Sequence, residues 1–229
     1  MVSIGGSSDG RSDGHPGTGT HAAPGEARAA TEVPVVAEGR PQSWIRSLRW
    51  VRADAGVAGE LAKRSVGELI AMALGDDDPD GPARWNAVDA LHARGDLETF
   101  TEARRLCASD SGVERVLGVD ILGELGTPHR PFLDKSLSVL RYLAAADDDV
   151  RVLHAVLIAF GHLRDQRALP SVIQLSTHPD PTVRYGAAYA LSHVLGRPAD
   201  PAGLAALRRL ARDEDEDVAD WAALGLILP

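Results

Sequence analysis

The feature that most constrains this chain is a helical unit written five times between Ser65 and Pro229. Each copy has an apolar-periodic first helix, an acidic or Pro-containing turn, a second helix, and then a Gly or Pro break. First helices are expected at roughly 65–75, 97–108, 132–146, 168–177 and 201–212, and second helices at 82–94, 112–125, 150–163, 181–195 and 216–227. The second helices align on one large apolar position, Leu91, Leu122, Phe160, Leu191 and Leu226, at spacings of 31, 38, 31 and 35 residues. One position earlier stand Ala90, Ile121, Ala159, Ala190 and Gly225, and four earlier Ala87, Gly118, Val156, Ala187 and Ala222. Small residues at fixed offsets let helices approach closely. A helix pair this short cannot bury its apolar face alone, so the units must close a shared core by stacking. The expected fold is all-α: an α-solenoid, a right-handed superhelix of about five helix pairs.

The chain ahead of the repeats reads differently. Residues 1–41 are Gly, Ser, Asp, Thr, Pro and Ala without apolar periodicity, and such a segment cannot offset its ordering entropy, so a disordered tail is expected. Residues 42–64 are expected to form N-terminal capping helices. Ser43 can N-cap a helix that places Trp44, Leu48 and Val51 on one face and Arg46, Arg49 and Arg52 on another, with a second short helix at 57–63. Residues 65–229 hold the five repeats. The last helix, Trp221–Leu228, is apolar on most sides and no polar capping repeat follows it, which points to contact with another copy or a partner.

Composition narrows the function classes. Aromatics are only 4% of the 229 residues while hydrophobics are 44%, which suits closely stacked helices rich in Ala, Leu and Val. A formal net charge of −9 works against nucleic acid, whose affinity comes from cations neutralising phosphates. No run of eighteen apolar residues offers a membrane span, and the N-terminus lacks the apolar core of a secretory signal. The lone Cys107 excludes an intramolecular disulfide and fits a cytoplasmic location; between Leu106 and Ala108 it reads as a core thiol. Of 24 basic residues all but Lys63 and Lys135 are arginine, the bias of a GC-rich bacterial genome.

The stretches Asp180-Pro-Thr-Val-Arg-Tyr-Gly-Ala-Ala-Tyr-Ala-Leu191, Phe160-Gly-His-Leu-Arg-Asp-Gln-Arg-Ala-Leu-Pro170 and Asp215-Glu-Asp-Val-Ala-Asp-Trp-Ala-Ala-Leu-Gly-Leu226 resemble bacterial HEAT-repeat proteins of the phycobilisome-lyase-type HEAT-like class. Arg84-Trp-Asn-Ala-Val-Asp-Ala-Leu91 with Gly95 resembles the first repeat of that family, and the resemblance covers about 65–229. It implies an interaction scaffold. Its arginine near the start of the second helix stands at Arg84, Arg115 and Arg184, but Leu153 and Ala219 replace it in the other two units.

Several residue patterns invite chemistry. Asp76-Asp77-Asp78-Pro79-Asp80-Gly81 opens like a calcium loop, yet Ala87 stands where the bidentate Glu belongs; Asp213, Asp215 and Asp217 lack both the Gly and the Glu. Capping of the second helices is the expected work of Asp80, Asp110, Asp148, Asp180 and Asp215. Arg84, Arg115 and Arg184 are expected to pair with turn aspartates of their own or a neighbouring repeat. His154 and His162 lie about 12 Å apart along one helix, too far to share an ion, so no metal is expected. No nucleophile–base pair, phosphate loop or dinucleotide fingerprint appears, and no catalytic residue or cofactor is expected.

The second helices also carry a stripe about four residues apart: Trp85 and Asp89; Asp120 and Glu124; His154 and His162; Tyr185, Tyr189 and His193; Asp220 and Leu224. Stacked second helices line the concave surface of a solenoid, and a wall of aromatic, histidine and acidic groups suits a protein partner. Packing of Trp85 and Tyr189 between repeats, with the acids facing water, would produce the same pattern. The leading expectation is a non-catalytic scaffold or adaptor holding another protein on this face. A chromophore lyase or chaperone is implied by the resemblance, and DNA binding, as in HEAT-like alkylpurine DNA glycosylases, is opposed by the acidic charge.

Overall fold

The structure, a computed structural model, describes residues 55–227. The tail at 1–41 and the helix expected at 43–52 lie outside the described residues, as do Leu228 and Pro229. Eleven α-helices follow one another among the described residues, with no strand: α1 (Ala55–Leu61), α2 (Val66–Leu74), α3 (Pro82–Arg94), α4 (Leu97–Cys107), α5 (Gly112–Glu124), α6 (Leu133–Ala146), α7 (Val150–Leu163), α8 (Leu169–Leu175), α9 (Pro181–Val194), α10 (Pro201–Leu210) and α11 (Glu216–Ile227). The pairs α2/α3 to α10/α11 are the five expected units, and a single 3-10 turn, Gln166–Ala168, leads into α8.

Local signals set the helix ends. Ser65 and Glu68 form a reciprocal capping box on α2, satisfying two orphan donors of its first turn. Asp96, Ser111, Asp149, Asp180 and Asp200 each accept a backbone N–H as N-caps. Asp215 likewise accepts from the Asp217 and Val218 amides at the head of α11. The caps at α5 and α7 therefore fall one residue beyond Asp110 and Asp148. Gly81, with Pro82 after it, starts α3 without a side-chain cap, so the N-cap position expected at Asp80 falls instead to glycine.

Second helices stack in chain order, α3 on α5, α5 on α7, α7 on α9 and α9 on α11, and the first helices α2, α4, α6, α8 and α10 form the other layer. Leu91, Leu122, Phe160 and Leu191 are buried in the core where the aligned column predicts. Leu226 departs from the column: it is exposed, because no further helix among the described residues covers that side of α11. Cys107 lies in the core, where Gly118 lets α5 close on it; burial pushes its thiol up to about 12, so it stays protonated. Where one unit ends and the next begins, Gly95 and Gly126 are both left-handed, and a Cβ on Gly95 would sit 2.7 Å from the Gly126 Cα. Only glycine permits that stacking of turns. No helix among the described residues is long and apolar enough to cross a membrane.

Candidate functional site

Two sets of side chains cross from repeat to repeat: a row of clasps at the turns and a band of polar and aromatic groups along the second helices.

The clasps begin from the caps. Two residues before the N-cap, a side chain accepts the amide of the cap residue: Ser109 Oγ from Ser111 (3.1 Å), Asp147 Oδ1 from Asp149 (3.0 Å), His178 Nδ1 from Asp180 (3.1 Å) and Asp213 Oδ1 from Asp215 (3.0 Å). Where that residue is aspartate, the arginine of the preceding repeat seizes it with two nitrogens. Arg115 donates to Asp147 at 2.7 and 3.1 Å, and Arg184 to Asp213 at 2.8 and 2.8 Å. The third nitrogen of each donates to carbonyls of its own turn, Ser109 and Asp110 for Arg115, His178 and Pro179 for Arg184. Hydrogen bonding to Arg184 holds the Asp213 carboxyl below its usual range despite partial burial. In the next turn the acceptor position is Ser109 rather than an acid, and Arg84 instead reaches across to Asp120 Oδ2 (2.8 Å), making a buried pair on the second helices. Between repeats 3 and 4 the arginine position is the buried Leu153 and the acceptor is His178. The acceptors Asp147 and Asp213 escaped sequence reasoning, which fixed on Asp148 and Asp215; the signal was their common offset of two from each cap.

Along the second helices the stripe residues divide. On α3 and α5, Trp85 is half-buried and Asp89, Asp120 and Glu124 are partly exposed. The buried His92 donates from Nε2 to the Asp120 carbonyl at 2.9 Å, and burial pushes its imidazole down from its ordinary value against that bond. His162 Nδ1 lies 2.9 Å from Glu124 Oε1, joining α7 to α5. Burial alone would raise Glu124, but the His162 bond, with the charges of His162, His92 and Arg130, holds it below the usual carboxylate range. Arg130 donates to the His162 carbonyl at 2.8 Å.

On α7, α9 and α11 the stripe becomes a row of rings. His154 stacks on Tyr185 at 6.4 Å, Tyr185 and Tyr189 both meet Trp221 at 5.8 and 5.9 Å, and Tyr189 touches His162 at 6.0 Å and His193 at 4.6 Å. Tyr185 and Tyr189 are only 6% and 5% exposed, so they pack between repeats; the accessible parts of the row belong to Trp221 and the three histidines. Gly161 admits the Tyr189 ring, which any Cβ there would overlap. Burial pushes the Tyr189 hydroxyl up to about 12 and His193 down. Trp221 is the ring the stripe did not contain, since it stands one residue away from Asp220, which is exposed with Leu224. Among the described residues no three His, Cys, Asp or Glu side chains converge as a metal site would require.

Residues 137–227 match the family described as HEAT repeats. In structure the chain is similar to Escherichia coli YibA, with a TM-score of 0.60 and 21% identity, covering 78% of this chain and 63% of that one. It thus spans less than two thirds of YibA, and a likeness at that identity shows the fold alone. A designed armadillo repeat protein in complex with the peptide (KR)4 aligns at TM-score 0.48 and 16% identity, covering 75% of this chain and 97% of that one. No curated protein matches the chain.

Proposed function

We propose that this chain, whose residues 137–227 match HEAT repeats, is a non-catalytic scaffold that holds another protein along its second-helix face. Solenoids of stacked helix pairs commonly mediate protein–protein contact and present extended surfaces for it. One observation carries the reading: consecutive second helices lie side by side and offer a continuous band of half-exposed rings and carboxylates, from Trp85 and Asp89 through Glu124, His154 and His162 to Trp221 and Asp220. Such mixtures of aromatic anchors and polar groups characterise binding patches. The buried Tyr185 and Tyr189 support the band from beneath, so they shape the surface without offering it. Affinity capture with the full chain, followed by the paired Trp85→Ala and Asp220→Arg substitutions, tests the proposal. Capture should fall at least roughly tenfold, the loss of about one hot-spot contact, while the helical melting curve is kept. Undiminished capture by the folded variant counts against this face.

The C-terminal end is proposed as a second contact, with another copy or a partner. Leu224, Leu226 and Ile227 are exposed there, Ile227 at 78%. Light scattering should show association at micromolar concentration that Ile227→Glu abolishes; a monomeric parent chain removes this contact.

A further inference from the structure

At the turn edge of the joint between repeats 4 and 5, the ends of α8 and α10 and the start of α9 border an open hollow of about 390 Å³, whose lining includes Ser176, Arg184, Arg209, Arg212, Asp213 and Glu214. Its charges are not balanced. Arg184 and Asp213 neutralise each other in the clasp, and all three nitrogens of that guanidinium are engaged. The Glu214 side chain is 91% exposed and comes only within 3.6 Å of Arg184. Arg209 and Arg212, one helical turn apart, pair with no carboxylate among the described residues. Nor are they spent on capping. The carbonyls that end α8 already accept from Ser176, Thr177 and His178, and those of Leu207, Arg209 and Leu210 from the amides of Ala211, Arg212 and Asp213. Arg209 is also held in place: Nη2 donates at 2.7 Å to Ser176 Oγ, a buried hydroxyl that gives its own proton to the Ile173 carbonyl. That bond fixes the guanidinium without neutralising it.

We propose that this hollow binds a phosphate monoester, with Arg209 and Arg212 as its two donors. A phosphoryl group carries about −1.5 to −2 charge at pH 7 and three acceptor oxygens, which matches two guanidiniums where a carboxylate matches one. The hollow is larger than the anion alone, so it also admits part of the group that carries it. A net charge of −9 opposes a polyanion such as nucleic acid, but one phosphoryl group meets only the local pair. The site lies at the turns and stands independently of the second-helix face.

Amide NMR of the full chain in low-salt buffer tests it, with inorganic phosphate, free O-phosphoserine, a short phosphoserine peptide and the same peptide carrying glutamate as probes. Phosphate should shift the Thr177 and Glu214 amides saturably. The phosphoserine peptide should bind roughly tenfold more tightly than the glutamate peptide, the worth of about one charge-assisted hydrogen bond. The Arg212 side chain makes no hydrogen bond or ion pair among the described residues, so Arg212→Gln should leave the melting curve unchanged while weakening the phosphate ligands roughly tenfold. Arg209→Gln should weaken them at least as much, and Arg141→Gln, an exposed arginine on α6, should leave them unchanged. A peptide that binds more tightly than free O-phosphoserine supports the site with a partner chain as the source, and equal binding supports it with a soluble ester. Shifts that never saturate, an equal loss in Arg141→Gln, or a glutamate peptide that binds as tightly overturn the proposal. So does a single-stranded DNA oligonucleotide that displaces the phosphoserine peptide at equal concentration. Should Arg209→Gln unfold, Arg212→Gln alone decides.

Discussion

The joint between repeats 2 and 3 and the joint between repeats 3 and 4 solve the same problem with different chemistry. At the first, Arg115 clasps Asp147 with two hydrogen bonds at the turn edge, and the helices meet through small residues, Gly123 against Ala159. At the second, Leu153 and His178 stand where the clasp would be, and contact shifts to the helix flanks, where Gly161 takes the Tyr189 ring and Gly186 lies on Leu157 and His154. The lesson is that the clasp is dispensable when both of its members change together. Removing one member of an ion pair strands the other, whereas replacing both with groups that fit is close to neutral.

The largest expected effect would break the apolar side of this comparison. Tyr189→Ala leaves a cavity beneath Trp221, His162 and His193 and should cost about 3–5 kcal/mol, as loss of a buried aromatic does. Urea unfolding measures it, and a loss below about 1 kcal/mol would show the ring row to be surface decoration. A smaller effect sharpens the polar side. Arg115→Leu alone should cost about 1–2 kcal/mol, because water still reaches the guanidinium edge. The double change Arg115→Leu/Asp147→His, which copies the neighbouring joint, should recover most of that loss; a double variant no better than the single one would refute the equivalence of the two joints.

The smallest effect is a dependence on pH. Burial depresses the imidazole pKa of His92 and of His193, so the unfolded chain binds their protons more readily than the fold does. The stability they permit is complete above the unfolded value of about 6.5 and declines as pH falls through it. The urea midpoint should therefore drop between about pH 7.5 and 5.5, and His92→Gln should flatten the slope while keeping a donor for the Asp120 carbonyl. A midpoint constant over that window, or a slope untouched by His92→Gln, separates the histidines from stability.

Much of this was legible in the residue order. The unit length, the order of helix pairs and the burial of Leu91, Leu122, Phe160 and Leu191 follow from a periodic pattern that is local to each helix. The caps were legible to within one residue, because in Asp147-Asp-Asp149 every member is a chemically suitable cap and only the backbone path selects one. The ring row was legible as a stripe, with burial of Tyr189 between repeats only one of the two readings it allowed. Tyr185 and Tyr189 share their helical spacing with His193, which is less buried, and what covers the tyrosines comes from Trp221 and Gly161 on two other helices. Exposure of that kind is decided by neighbours far away in the chain, which no spacing within one helix encodes. Leu226 repeats the point from the other side, since its place in the column is right and the neighbour that would bury it is missing from the described residues.

The offset of two between acceptor and cap has a consequence for how such chains can be rearranged. The first four units carry an outgoing group near the start of the second helix, arginine or leucine, and the turns of the last four carry an incoming one, serine, aspartate or histidine. The units are thus keyed rather than interchangeable. Transposing the third and fourth would set Arg115 against His178, Arg184 against Asp147 and Leu153 against Asp213, keeping one clasp but leaving one carboxylate facing hydrocarbon. Tandem duplication of the third unit would set Leu153 against a second Asp147, and of the fourth Arg184 against a second His178, so neither unit matches its own copy.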